Sequence, residues 1–515
     1  MPDQPSRRGP VALALVLILA LATGLRLYGL DFGLPYLYQP DEPNKVEAAQ
    51  NILKSGNLNP HYFKKPTLLI YANAALYVPY YLWGKAEGRF RSPADIQAPD
   101  RPLMGTGYIG NPDAMVMGRA LTALLGVLAV FLTWAVGRRF FASPWVPVVA
   151  ALAVAVSPEG VRQSHFIETN IYLVVAALGV LWAALRVYER GSGRDYLLAG
   201  FMVGIAVTCK YPGVVAIAFP FTAHWLRAAR KFPIDGHLKL LCLMVPVGFL
   251  LGTPYALLDP KNFFLGATHE AGHYATGHEG LEGNTLLWYL NYAVTVEGPL
   301  MAVFLVAAVA AWRARNDKLL LLASFPAVYW AFISVFQVRN GRTFLPLTPF
   351  AFLLAVGFLF ELGGRWRTLA PAGKRALALA ALVVAMVSGL AVPFAQALAY
   401  NREFVTVDGR ETSRQWIEAN LPAGSAIALE SYSPYLRPER YRLTYLQRAV
   451  DSTAAWYRAQ GIEYLIFSEG MYGRYVREPD KYPDRLAAYQ ALWDSFPEVK
   501  RWTDGGYEIQ LHRVR

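Results

Sequence analysis

Two adjacent carboxylates, Asp41 and Glu42, follow Gln39-Pro40 and lead into Pro43 to Lys54, a stretch with the apolar spacing of an amphipathic helix. Beside a membrane surface such a pair supplies a general base and a partner that orients it or holds a cation. An acid ahead of Pro-Asn-Lys also caps a helix start, and spacing leaves both readings open. A second group, His61-Tyr62-Phe63-Lys64-Lys65-Pro66, carries cations that at headgroup depth attract phosphates, either of ordinary lipids or of one lipid substrate. A third, Arg162 to Asn170, crowds His165, Glu168 and Asn170 into one short polar segment.

Single cations complete the set. Arg119, Lys210, Arg339 and Arg342 each sit at the end of an apolar run. One such residue can snorkel to the interface without consequence, but several on one face suit an anionic ligand such as a lipid phosphate. His269-Glu270-Ala271-Gly272-His273 matches the spacing in which two histidines one helical turn apart bind zinc. Gly272 and the series Gly277, Gly280 and Gly283 argue against a helix there, and the longer metal signature fails because Gly277 and His278 are each one residue out of place. His269, His273 and His278 are candidates to line an acceptor cavity, or are loop polar residues; metal ligands are left unassigned.

These groups must be positioned by membrane helices. The chain has 515 residues, 55% of them hydrophobic and 17% charged, with many apolar runs long enough to cross a hydrocarbon core. Its net charge of +12 lies entirely within residues 1–397, because residues 398–515 hold equal numbers of basic and acidic side chains. The excess falls in short loops, and no basic stripe suits a phosphate backbone, so nucleic acid is excluded as a partner. Cys209 and Cys242 lie in apolar segments and read as small membrane-core residues. Arg7, Arg8 and the run Val11 to Ala22 resemble a signal peptide, with Ala20-Leu21-Ala22 as a cleavage site; the downstream spans favour an uncleaved first helix.

Eleven spans are expected: 10–30, 115–137, 144–160, 169–186, 196–210, 211–228, 238–258, 299–313, 318–336, 343–362 and 376–397. With the N-terminus inside, Arg138/Arg139, Arg186/Arg190/Arg194, Arg227/Arg230/Lys231/Lys239, Arg313/Arg315/Lys318 and Arg365/Arg367/Lys374/Arg375 all face the cytoplasm. A span at 66–84 would reverse all five clusters, so that aromatic stretch is placed at the interface. The first outside loop, 31–114, is then long enough to be functional. The division expected is a transmembrane domain at 1–397 and a small extracytoplasmic α/β domain at 398–515. In the latter, Asp408 to Asn420 reads as a helix, and Ala426 to Leu429 and Tyr464 to Phe467 as strands.

Several of these motifs resemble the bacterial glycosyltransferases related to protein O-mannosyltransferases and aminoarabinose transferases, the GT-C architecture of glycosyltransferase family 39. The resemblance rests on Asp41-Glu42 after the first span, Lys65-Pro66-Thr67 before the interfacial stretch, and Arg119 opening the second span. Gly137-Arg138-Arg139-Phe140 closes that span, Arg339 to Pro349 resembles the family's basic and Leu-Pro-x-x-Pro stretch, and Trp416 to Pro422 resembles the start of its outside domain. One position departs: Asn170 stands where the family's second Asp is expected, with Glu168 two residues earlier as its candidate substitute.

The resemblance implies an α-helical polytopic membrane protein of the GT-C type, multi-pass in the bacterial inner membrane, with its active site facing outside. It implies a polyprenyl-phosphate sugar as donor, entering laterally from the outer leaflet, and a hydroxyl of a protein, lipid or glycan as acceptor. Lys65, Arg339 and Arg342 would hold the phosphate, and Asp41 would deprotonate the acceptor as it attacks the anomeric carbon with inversion. Arg119, His165, Asn170, Lys210, His273 and His278 complete the expected binding set, with Asp41, Glu42 and Glu168 catalytic. No cofactor is assigned, and a divalent cation is the one candidate. The alternatives are a multi-spanning transporter or flippase of a lipid-linked or anionic solute, and an adhesion or sensor protein acting through the C-terminal domain.

Overall fold

The structure is a computed structural model that describes residues 8–277, 279–280, 282–369 and 372–515. The chain forms two compact units. One, mainly helical, comprises the N-terminal segment up to Leu30, Asn51–Val78 and Met117–Asn401. The other comprises Asp31–Gln50, Pro79–Val116 and Arg402–Arg515. Much of the first loop, 31–114, therefore groups with the C-terminal residues, where a boundary at 397/398 had set it with the helices.

In the helical unit long apolar runs become helices because only intrasegment hydrogen bonds satisfy a backbone surrounded by lipid. Among the described residues six helices are long and apolar enough to cross a bilayer, and up to eight if each of two bent pairs is one span. The pairs are Trp145–Val156 with Pro158–Ser164, bent by 58°, and Thr285–Thr295 with Pro299–Arg313, bent by 119°. Among the described residues the expected count of eleven long spans is not confirmed. Helices Gly193–Cys209 and Gly236–Gly252 have 17 residues each, and Ala218–Arg227 has 10 after a 3-10 turn at Tyr211–Ile217. The cause is local: Lys210 takes an extended backbone (φ −157°, ψ 135°), and Pro212 follows directly after Tyr211. The stretch assigned to the interface is a helix, Leu68–Ala86, with Pro79 inside it.

Helices Gly193–Cys209 and Gly236–Gly252 approach backbone to backbone, the packing that small residues permit in membranes. A Cβ at Gly204 would lie 2.2 Å from the Val245 carbonyl oxygen and 2.6 Å from the Phe249 nitrogen. Neither neighbour can rotate away. Gly204→Val is therefore expected to destabilise the protein by roughly 3 kcal/mol or more, read as a lowered thermal midpoint in nanodiscs. Gly272→Ala, where nothing lies within 4 Å, serves as the control and should be neutral or slightly stabilising.

The second unit is built on sheets. β1 (Asp100–Leu103) and β2 (Thr106–Tyr108) form an antiparallel pair. β3 (Ala426–Glu430), β4 (Arg442–Leu446), β5 (Tyr464–Ser468), β6 (Glu498–Trp502) and β7 (Ile509–Arg513) form a five-stranded sheet in the order β4-β3-β5-β7-β6. β4, β3 and β5 run parallel, and β7 and β6 are antiparallel. Every residue of β3 is buried, as a central parallel strand covered on both faces requires. Ile427 and Leu429 join the core beneath Ile417 and Leu421, while Ala428 faces Leu465, Phe467 and Tyr489 on the opposite side. The expected helix is present as Gly409–Asn420, with Asp408 accepting from the Arg410 amide at 2.9 Å. The first-loop segments are tied into this unit: the Tyr432 amide donates to the Met104 carbonyl (2.8 Å) and the Thr106 hydroxyl to that of Ser433 (2.7 Å).

β3 ends in a buried carboxyl, Glu430, which accepts from the Ala449 and Ser468 amides and the Tyr489 hydroxyl, each at 2.8 Å. Burial outweighs those three donors and pushes its pKa from 4.5 up to about 7. A raised carboxyl pKa means the folded state holds a proton that the unfolded state releases, so stability falls as pH rises from 4.5 to about 7 and then levels. The span corresponds to about 3 kcal/mol. Pulse proteolysis of the full chain in urea should show this unit more resistant at pH 5 than at pH 8, and Glu430→Gln should flatten the difference.

Candidate functional site

The helical unit encloses a cavity of about 320 Å³ whose wall joins charge to hydrocarbon. Helix Pro260–Thr276 brings Ala267, Glu270, Ala271 and Tyr274, one helical face, to this wall. Lys65 enters ahead of Leu68–Ala86 and forms an ion pair with Glu270, its ammonium 5.7 Å from the Tyr274 ring centre. Lys210 enters from the break after Cys209 and is 4% exposed. Phe332, Ile333 and Phe336 form the apolar side together with Tyr211 and Pro212.

The field at this cavity is positive. Burial alone would raise the Tyr274 phenol, yet Lys210, Lys65 and Arg342 outweigh it and draw the phenol below its usual value. Burial works against the charge of Lys65, but Tyr274, Glu270 and Glu168 hold its ammonium above the ordinary lysine range. Three cations thus act on one phenol, with two carboxylates in partial balance. Such a pocket offers an anion a place beside a hydrocarbon wall.

Behind Lys210 runs a chain of side-chain hydrogen bonds. The ammonium donates to Asn170 Oδ1 (2.7 Å), the Asn170 amide donates to Gln163 Oε1 (2.9 Å), and Gln163 donates to Glu159 Oε1 (2.8 Å). Glu159 pairs with Arg162 at 3.7 Å. Asn170 therefore both accepts and donates, which a carboxylate in its place cannot do. The residue that departs from the expected Asp orients the buried lysine.

The remaining expected residues fall in several places. Glu168 caps helix Thr169–Glu189, accepting from the Thr169 amide at 3.2 Å, and its charge reaches Lys65. Arg119 is buried and donates to the Leu30 carbonyl at 2.8 Å. Both ring nitrogens of His165 face backbone carbonyls, those of Val161 and Tyr28, at 2.9 Å. Arg339 donates to the Glu282 carbonyl at 2.6 Å, and Arg342 acts on Tyr274 and Lys210. His273 is exposed on its helix, and His278 lies outside the described residues.

The zinc-like motif folds differently from the expected loop. Residues 269–273 are helical despite Gly272, and the helix ends where Gly277 takes a positive φ of 67°. Glu270 is engaged with Lys65 while His269 and His273 are exposed, and among the described residues no three His, Cys, Asp or Glu side chains are grouped to hold a metal. Sequence reasoning did not select Glu270, Tyr274 or Gln163 for the site. The i, i+3, i+4, i+7 spacing of Ala267, Glu270, Ala271 and Tyr274 was the available signal.

Asp41 and Glu42 belong to the sheet-bearing unit. Helix Glu42–Ser55 starts directly after Asp41, whose carbonyl accepts from the Lys45 ammonium at 2.7 Å. Glu42 is buried and Asp41 half-buried. The charge of Asp41 reaches Tyr432, which burial, Tyr507 and Asp41 together push up to about 12.

Residues 109–250 match the family model described as dolichyl-phosphate-mannose-protein mannosyltransferase. No curated protein sequence matches the chain significantly. The structure is similar to that of ArnT from Cupriavidus metallidurans in the apo state, at 17% identity and a TM-score of 0.55, covering 98% of each chain. It is similar to ArnT bound to undecaprenyl phosphate, at 16% identity, a TM-score of 0.52 and 98% of each chain. The archaeal oligosaccharyltransferase AglB from Archaeoglobus fulgidus, in complex with an inhibitory peptide and a dolichol-phosphate, is similar at 12% identity and a TM-score of 0.52, over 90% of this chain and 70% of its own. With its long apolar helices, the chain is a multi-pass membrane protein of the GT-C fold.

Proposed function

We propose that the protein is a glycosyltransferase that moves a sugar from a polyprenyl-phosphate donor to an acceptor hydroxyl at the outer face of a bacterial inner membrane. The observation that carries this reading is the cavity where Lys65, Lys210 and Tyr274 meet Phe332, Ile333 and Phe336. A polyprenyl phosphate has both matching parts, an anionic head and a hydrocarbon tail. The likeness to structures that hold undecaprenyl phosphate and dolichol-phosphate supports the same class of donor.

In this reading the acceptor oxygen attacks the anomeric carbon while the bond from that carbon to the phosphate oxygen breaks with inversion. The electron pair leaves on phosphate, where Lys65, Lys210 and Arg342 stabilise it. The acceptor proton passes to Asp41. Glu168 supports the cations through its charge.

Mass spectrometry of lipid extracted with the purified protein tests the donor class. A polyprenyl phosphate or its glycosylated form is expected, depleted in a Lys65→Ala/Lys210→Ala double variant. Its consistent absence, with tight binding of a soluble solute instead, would overturn the reading in favour of transport.

A further inference from the structure

A second cavity lies wholly within the sheet-bearing unit, apart from every group used above. It has a volume of about 600 Å³ and opens among helix Glu469–Arg477, the end of helix Pro483–Ser495, and strands β6 and β7. That size suits a small organic ligand.

Its lining narrows the class. Tyr472 and Trp493 meet edge to face, ring centres 5.3 Å apart, and both line the space. Beside them Glu508 is held in place by the Tyr472 hydroxyl (2.6 Å) and the Gln510 amide (2.8 Å), and Gln510 and Tyr472 are 3% and 4% exposed. Arg501 spans Glu498 at 2.6 Å and Glu508 at 3.2 Å, and Arg477 pairs with Glu469 at 2.9 Å. Both arginines of the lining are therefore already matched to carboxylates, and an incoming phosphate would meet those carboxylates as well. A purely apolar ligand would strip water from these exposed carboxylate and guanidinium groups and return no hydrogen bond. A ligand with an apolar C–H face for the aromatic pair and a ring of hydroxyls for bidentate groups satisfies both sides.

We propose that this cavity is a saccharide-binding site of the C-terminal unit, separate from the lipid-donor cavity. It binds sugar non-covalently, with Trp493, backed by Tyr472, as the apolar platform and Glu508 and Arg501 as the hydroxyl readers. The proposal does not depend on the transfer reaction. Gln510 and Tyr472 would hold the Glu508 carboxylate ready before the sugar arrives.

Saturation-transfer difference NMR on the full chain in nanodiscs tests it, with glucose, galactose, mannose, N-acetylglucosamine and their β-linked disaccharides as probes. At least one probe should show ring-proton saturation, and Trp493→Ala should weaken its binding about tenfold or more. Arg501→Gln lies at the exposed rim and should weaken the same probe, with the thermal midpoint read alongside to show that the variant is folded. No saturation of any probe by the wild type overturns the proposal. Wild-type binding that persists undiminished in Arg501→Gln, or in folded Trp493→Ala, assigns the sugar to another site and overturns it equally.

Discussion

Lys210→Ala is expected to lower kcat/KM for transfer from a polyprenyl-phosphate sugar by roughly 10² to 10³, the effect of removing one preorganised group from a developing anion. Lys210 is 4% exposed, and its charge lies near Tyr274 and near the charges of Lys65 and Arg342, with Glu168 in partial balance. A buried cation among cations is unfavourable in a resting protein. In the proposed reading, a ligand that brings negative charge accounts for its place. The fold therefore gains little from Lys210, and the alanine variant should keep or slightly raise its thermal midpoint while losing activity, the trade expected of a strained functional site. Transfer within a few-fold of wild type, or a midpoint that drops in step with activity, would sink the assignment. Lys210→Arg should recover part of the rate, because the charge returns but the hydrogen bond to Asn170 Oδ1 is altered.

In the sequence, Lys65 came from the basic group ahead of the interfacial stretch. Lys210 was selected because a cation at the expected outer end of an apolar span runs against the positive-inside bias, and the same logic selected Arg342. It also selected Arg339, which is held by the Glu282 carbonyl, since charge bias gives the level of a side chain along the membrane normal but not its direction around a helix. Glu270 and Tyr274 escaped because glycine propensity argued against their helix, whereas Gly272 sits on its exposed face and Gly277 ends it. Tertiary packing against Phe63 overrides that weak local preference: Phe263 meets it at 6.0 Å between ring centres. The strands at 426–429 and 464–467 followed from short apolar runs, but the grouping of 31–50 and 79–116 with the C-terminal residues did not. Contacts such as Tyr432 to Met104 join residues far apart in sequence, and no local pattern encodes them. Asn170 looked like the loss of an acid. In the structure its amide uses both of its polar ends, which the residue's departure from the family pattern alone did not disclose.

Asp41→Asn is expected to lower kcat by roughly 10² to 10⁴ with little change in KM, the range for loss of a positioned general base. This substitution separates the two readings that the sequence left open. Asp41 directly precedes helix Glu42–Ser55, the position a capping residue takes. Asparagine caps a helix about as well as aspartate and keeps the same shape, but its amide takes no proton at neutral pH. A cap alone predicts wild-type activity and stability for Asp41→Asn and a loss of stability for Asp41→Ala. A base predicts a stable, inactive Asp41→Asn. Asp41→Asn that retains full transfer in a reconstituted assay excludes Asp41 as the base. Glu42, the adjacent carboxylate in sequence, is then the next to substitute, although at 1% exposed it is far less open to an acceptor than Asp41.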